Sequence, residues 1–206
     1  FEFAVAAGYS IKDPSKLVSV DKSKLTHKQK EKRKKHVITE EEYNKLMAHA
    51  PYFTRQAVAL AWWTGLRISD ITSLEWDSWN AKEKTLTVHT QKRDKRVCLP
   101  WDDPFIGGGI LKNIYQEIEF EDDQYCFPTQ REWMQSPKHR SKISLYFSRI
   151  LQRLEMYEKG KGWHSLRSSF VTRCKKEGKK LEDIAIWVGH SDTRTTEKYD
   201  LTGARL

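Results

Sequence analysis

The sequence predicts a mainly α-helical fold with a small antiparallel β-sheet. Apolar residues recur at helical spacing in most segments after Thr39, and a strand period occurs only between Trp76 and Pro100. Start and stop residues flank several of the helical runs. The first is Thr39-Glu40-Glu41-Glu42, a capping box in which the threonine accepts from the third residue's N–H while Glu42 reaches back, opening a helix to about His49. Phe53 to Thr64 is apolar around most of its circumference, which predicts a buried helix with Trp62 and Trp63 in the core, ended by Gly65. Ile68 to Leu74 predicts a short further helix. Thr85 to Thr90 then alternates, Gln91 to Lys95 is polar, and Arg96 to Leu99 resumes before Pro100, which together predict a hairpin with a basic tip. The Gly107-Gly108-Gly109 run lacks the Gly-Lys-Ser/Thr of a phosphate loop and reads as a turn. Helices are predicted over Ile110–Ile118, Ser141–Tyr157, Ser165–Glu177 with Gly178 as its stop, and Leu181–Val188 with Trp187 in the core.

A chain of 206 residues with 38% hydrophobic residues and eight tryptophans can fill one sizeable core, which excludes wholesale disorder. No run approaches the ~20 apolar residues of a membrane span, and the start lacks the basic and cleavage-site features of a signal peptide. A soluble, non-membrane, cytoplasmic protein is expected. Cys98, Cys126 and Cys174 are odd in number and contain no C-x-x-C pair, arguing against a disulfide framework or a structural zinc site and for a reducing compartment. His27, His36, His49, His89 and His139 lack metal-ligand spacing and read as surface or satisfied polar positions. No metal or cofactor is expected.

Net charge is +9, and its distribution is uneven. Residues 1 to 36 hold ten Lys/Arg against four acidic residues, two thirds of the excess. Ile11 to His36 has no helical or strand period and reads as an extended, self-repelling basic linker able to follow a phosphate backbone. Phe1 to Tyr9 reads as the truncated end of an apolar helix. The expected division is therefore residues 1–38, the end of a preceding domain plus linker, and residues 39–206, a second domain.

Three separated segments place polar residues within apolar patterns: Thr64-Gly65-Leu66-Arg67-Ile68-Ser69-Asp70, His164-Ser165-Leu166-Arg167, and Val188-Gly189-His190 followed nine residues later by Tyr199. Singly, each has a plain structural explanation, such as an i,i+3 pair between Arg67 and Asp70. Together they resemble the tyrosine recombinase (phage integrase) family, whose boxes read T-G-x-R-x-x-E/D, H-x-L-R and L/V-G-H followed by a tyrosine. Thr195-Thr196 before the tyrosine is also typical, and Lys92 on the hairpin fits the place of the family's catalytic lysine. The resemblance spans residues 39 to 199 and identifies residues 1–38 as the end of a core-binding domain plus linker.

This resemblance implies a site-specific recombinase or integrase that cleaves and rejoins double-stranded DNA through a 3′-phosphotyrosyl intermediate, working as a homotetramer on recombining sites in a bacterial or phage-infected cell. Attack on a phosphodiester builds charge on the non-bridging oxygens, so fixed cationic donors are needed. Arg67 and Arg167 are the expected clamp, because guanidinium is planar, permanently charged and bidentate. Tyr199 is the nucleophile and needs neither ATP nor a metal. His164 is the candidate base, Lys92 protonates the leaving 5′ oxygen, His190 hydrogen-bonds a non-bridging oxygen, and Asp70 holds Arg67 or His164 in orientation. Arg33, Lys34, Lys35, Arg93 and Lys95 are expected to contact DNA. The chain departs from the family where H-x-L-R is often followed by histidine, having Ser168 there, and only seven residues follow Tyr199. Two other readings fit the residues: a type IB topoisomerase, and a non-catalytic DNA-binding regulator.

Removing residues 12–35 is expected to weaken duplex DNA binding and to lower the slope of log K against log[salt] by about 0.9 for every phosphate no longer neutralised. Fluorescence anisotropy over a salt series measures this, and an unchanged slope would show that the segment does not touch the DNA backbone.

Overall fold

The computed structural model describes residues 36–91, 95–101, 103, 106, 110–117, 124–190 and 192–202. The Phe1–Tyr9 helix, the basic linker with Arg33, Lys34 and Lys35, the Gly107–Gly109 turn, and Lys92 and Arg93 lie outside the described residues. Nine α-helices and one three-stranded sheet are described: α1 (Glu40–His49), α2 (Tyr52–Thr64), α3 (Ile68–Ile71), β1 (Trp79–Asn80), β2 (Thr85–Thr90), β3 (Lys95–Pro100), α4 (Ile110–Glu117), α5 (Pro128–Gln135), α6 (Arg140–Arg153), α7 (Trp163–Lys176), α8 (Leu181–Trp187) and α9 (Thr193–Glu197). The fold is mostly helical with a small antiparallel sheet, as the sequence predicts.

The Thr39 capping box forms: Thr39 Oγ1 accepts from the Glu42 N–H at 3.2 Å, and Glu42 Oε2 accepts from the Thr39 N–H at 3.0 Å. Glu42 Oε1 also receives Lys161 Nζ at 2.5 Å, and Glu158 receives the same ammonium at 3.2 Å. Lys161 is buried. A buried ammonium is tolerable because two carboxylates compensate it, and the pair fastens the approach to α7 onto the start of α1. Ser169 on α7 completes the seam by donating to the Ile38 carbonyl and accepting from the Ile38 N–H.

α2 is the central helix, buried on nearly all sides and packed between α1 and α7. Tyr43 stacks on Trp62 at 4.6 Å, joining α1 to α2. Phe147 stacks on Trp163 at 4.1 Å, joining α6 to α7. In the sheet, ordered β1-β2-β3, Leu86 faces Leu99 and Val88 faces Val97, and all four are buried. This is the alternation read from the sequence, with one face packed on the core. Trp79, Trp101 and Tyr115 cluster at ring separations of 5.4 to 5.9 Å and attach the sheet to α4.

Several predicted boundaries move. The helix expected over Ile68–Leu74 stops at Ile71, and Ser73 and Leu74 continue with tighter bonds to Asp70 and Ile71. The one expected over Ser141–Tyr157 stops at Arg153, because Glu155 takes a left-handed φ of 59° while Met156 bonds back to Leu151. No glycine marks that stop. α5 and α9 are too short for a periodicity signal, although Pro128 at the first turn of α5 is a recognisable start. Trp62 is in the core as expected, whereas Trp63 and Trp187 are only partly buried against it. Trp63 keeps a polar edge by donating to Tyr43 Oη.

Burial pushes the Cys126 thiol up to about 11 and the Cys174 thiol up to about 12, while Cys98 is exposed on β3. Because the thiolate is the reactive species, an aromatic disulfide reagent at pH 8 is expected to titrate one thiol rapidly in the native protein and three in guanidinium chloride. Rapid reaction of more than one native thiol would contradict the packing around α7 and Cys126.

Candidate active site

Four chain segments meet at the ends of α2, α7 and α8. α2 stops at Gly65, whose φ of 66° lies in the left-handed region and whose N–H bonds to the Ala61 carbonyl. Thr64 Oγ1 locks this turn by donating to the Leu60 carbonyl and accepting from the Leu66 N–H. Arg67 follows in extended conformation at the N-cap of α3. α8 ends in a Schellman motif, with His190 N–H bonded to the Ala185 carbonyl and Gly189 N–H to the Ile186 carbonyl. Gly189, at φ 65°, supplies the left-handed turn that brings the His190 ring back to α7.

Arg167, one turn into α7, is the centre of the arrangement. It is 1% exposed, Nη1 donates to the Gly65 carbonyl at 2.6 Å, and Nη2 donates to the Val188 carbonyl. Nη2 also stands 2.8 Å from His190 Nε2. An arginine has no acceptor, so Nε2 is the unprotonated nitrogen, and His190 Nδ1 therefore donates to Thr196 Oγ1 at 2.8 Å. Burial, and next the charge of Arg67, lower the Arg167 pKa to about 9, with Tyr199 and Asp70 acting in the opposite sense. Arg167 is still cationic at neutral pH.

Tyr199 lies just beyond α9, its ring centroid 5.6 Å from Arg167 Cζ and 5.4 Å from the His190 ring. The ring packs on the small cluster of Phe170, Val171, Cys174, Ile184 and Val188. Thr172 on α7 fixes the backbone around it, donating to the Tyr199 carbonyl and accepting from the Leu201 N–H.

Asp70 is 1% exposed, with Oδ2 3.7 Å from Arg67 Nη1 and Oδ1 accepting from the Gln91 N–H at 3.0 Å. It thus ties Arg67 to Gln91, just after β2. Arg67 Nη1 and Arg167 Nε are buried without a hydrogen-bond partner among the described residues. Unpaired buried donors are costly; Asp70, whose Oδ2 likewise has no hydrogen-bond partner among the described residues, offsets the charge of Arg67 at ion-pair distance, and Arg167 is the cation left to receive an anion. His164 opens the first turn of α7 and is exposed, and Lys95 begins β3 with its N–H bonded to Thr90 Oγ1. Thr196 belongs to the Thr195-Thr196 pair before the tyrosine, but the motif assigns it no contact, and Thr172 belongs to no motif.

The phage integrase family model matches residues 36–202. The chain belongs to the phage integrase family. This is the family that the motifs around Arg67, Arg167, His190 and Tyr199 resemble. The tyrosine recombinase XerA of Pyrococcus furiosus is 29% identical over 175 residues, covering 82% of this chain and 58% of that protein. Among solved structures, a lambda integrase dimer bound to a COC′ core site superposes with a TM-score of 0.66 at 20% identity, covering 100% of this chain and 57% of that one. The catalytic domain of bacteriophage HP1 integrase gives a TM-score of 0.58 at 18% identity, covering 81% of this chain and 87% of that one. At these identities the structural likeness shows a shared fold. This phage integrase family chain spans about three fifths of the XerA relative.

A Cβ at position 65 would stand 2.6 Å from Phe170 Cδ1 and 2.8 Å from Val188 Cγ1. Gly65→Ala is therefore expected to destabilise the fold by about 2–4 kcal/mol, from left-handed backbone strain plus overpacking. Urea denaturation measures it, and a loss below about 1 kcal/mol would refute so close a contact between the end of α2, the middle of α7 and the end of α8.

Proposed function

We propose that this chain is the catalytic part of a site-specific DNA recombinase that breaks and rejoins strands through a 3′-phosphotyrosyl intermediate. The observation that carries this is the convergence of Arg67, Arg167, His190 and the Tyr199 ring, with two buried guanidinium N–H groups unpaired among the described residues. A phosphodiester oxygen pair supplies the missing acceptors. The two cations then stabilise the extra charge of the pentacoordinate state, which is where fixed donors contribute most. The Tyr199 oxygen bonds to phosphorus, the bond from phosphorus to the 5′ oxygen breaks, and Lys92 on the hairpin loop gives that oxygen its proton.

His190 in its present tautomer can accept a proton at Nε2 but cannot donate one there. To hydrogen-bond a non-bridging oxygen it must first gain a proton, and the phenol of Tyr199 beside it is a chemically suitable source. His164, at the start of α7, is the alternative acceptor for that proton. Asp70 acts on Arg67 and on the hairpin, orienting both. The partner is double-stranded DNA, a reading supported by two structurally similar proteins, lambda integrase bound to a COC′ core site and XerH bound to its difH substrate. Arg33, Lys34, Lys35, Arg93 and Lys95 would contact the backbone, residues 1–38 would be the linker from a core-binding domain, and the assembly on recombining sites would be a homotetramer. No helix among the described residues is long and apolar enough to cross a membrane, and none of their His, Cys, Asp and Glu side chains form a metal-binding group. We assign the reaction no cofactor and place it on DNA in a bacterial or phage-infected cell.

Tyr199→Phe removes only the nucleophilic oxygen. It is expected to abolish covalent protein–DNA adducts on a nicked suicide duplex while leaving duplex affinity within about threefold, under 1 kcal/mol. Denaturing electrophoresis reads the adduct, and adducts that persist in the variant would overturn the assignment of Tyr199.

A further inference from the structure

A cavity of about 210 Å³ opens between the start of α2, α5, α6 and the start of α7. Four rings line it, Phe53, Trp133, Tyr146 and Trp163, together with the buried Ile143. Two of those rings are fixed by neighbours outside the lining: Phe53 meets Phe127 edge to face at 5.3 Å, and Trp163 stacks on Phe147 at 4.1 Å. The Trp163 indole N–H is already used, donating to the Ile143 carbonyl at 3.4 Å. The wall is therefore formed before any ligand arrives, which lowers the ordering cost of binding.

Thr54 interrupts the apolar lining. It is 1% exposed, and its hydroxyl has no hydrogen-bond partner among the described residues. A buried polar group in that state gains from any partner that reaches it. No charged side chain lines the cavity among the described residues, and Lys142, whose ammonium stands 5.6 Å from the Trp133 ring, is exposed and outside the lining. An ion would enter without compensation, whereas loosely held water among rings is readily displaced by an apolar group. An apolar cavity of ~150 Å³ takes up benzene, and drug-sized ligands need roughly 300 Å³ or more. We infer that this cavity binds a neutral, single-ring organic molecule with one hydrogen-bonding substituent, which pairs with the Thr54 hydroxyl. Thr54 and Thr64 stand near opposite ends of α2, about 15 Å apart along its axis, so binding needs nothing from the Arg167 pocket and stands whether or not the chain transfers strands. Trp163 directly precedes His164 on α7, and the occupant packs against the turn that carries that histidine.

Indole N–H resonances of the full, isotope-labelled chain report on the cavity, each assigned by replacing that tryptophan with phenylalanine. Phenol is expected to shift the Trp133 and Trp163 signals saturably while Trp79 and Trp101, clustered beside the sheet, stay unmoved. Benzoate, which carries a charge in place of the hydroxyl, is expected to bind roughly tenfold more weakly than phenol. Thr54→Val removes the hydroxyl and nearly keeps the shape; it is expected to weaken phenol roughly tenfold and to leave toluene, the ring without a hydroxyl, no weaker. An unchanged phenol affinity in Thr54→Val would overturn the inference. So would the absence of a saturable phenol shift, equal shifts at Trp79 and Trp101, or benzoate binding as tightly as phenol. Those three comparisons use the wild-type chain and decide the matter even if Thr54→Val fails to fold by circular dichroism. N-acetyltyrosinamide binding tighter than phenol by more than about tenfold would also overturn it, in favour of a side chain presented by a partner protein.

Discussion

A single buried guanidinium joins the parts of this molecule that matter. Arg167 sits on α7 at 1% exposure and donates to the last turn of α2 and the last turn of α8, while touching the histidine that follows α8. A charge taken from water without an opposite charge beside it costs several kcal/mol. Carbonyl dipoles supply part of the compensation, and Nε has no hydrogen-bond partner among the described residues. The remainder of the cost makes the site receptive to a negative ligand, because folding leaves the cation incompletely solvated.

The elements around Arg167 are shaped to present its acceptors. Two left-handed glycines, Gly65 and Gly189, end the two helices that deliver those carbonyls and His190. Both turns are tightly packed, Gly65 against Phe170 and Val188, Gly189 against Thr90. Helix termini and glycines therefore set the site's geometry, and the side chains that would do chemistry are carried on them. Asp70 extends the same logic to the hairpin by holding the Gln91 amide and standing close to Arg67.

Much of this is legible in the sequence because it rests on local signals. The Thr39 capping box, the apolar α2 with its Gly65 stop, and the alternation of β2 and β3 are written in consecutive residues. The segments that converge on Arg167 are recognisable because four ordered motifs together resemble one family, not because any spacing reveals the convergence. What stays hidden depends on contacts between distant residues. No sequence pattern marks Lys161, yet Glu42, 119 positions earlier, draws it into the seam. Thr196 receives His190 Nδ1 only because α9 brings it there, and Arg131 is steered by Ser73 and Tyr125, neither of which carries a sequence signal. The helix α6 ends at a glutamate in a glycine-like conformation, which no residue pattern announces.

The seat of Gly189 has an evolutionary corollary. A methyl there would press on Thr90 and Val97, so the turn bearing His190 rests directly on the inner face of the hairpin. Ordinary core positions of the sheet are thus mechanically continuous with the turn that carries His190. A random-mutation screen for inactive clones should return bulky replacements at Val97 that still fold and still bind DNA, and such clones would look like chemical defects although no reacting group had been altered.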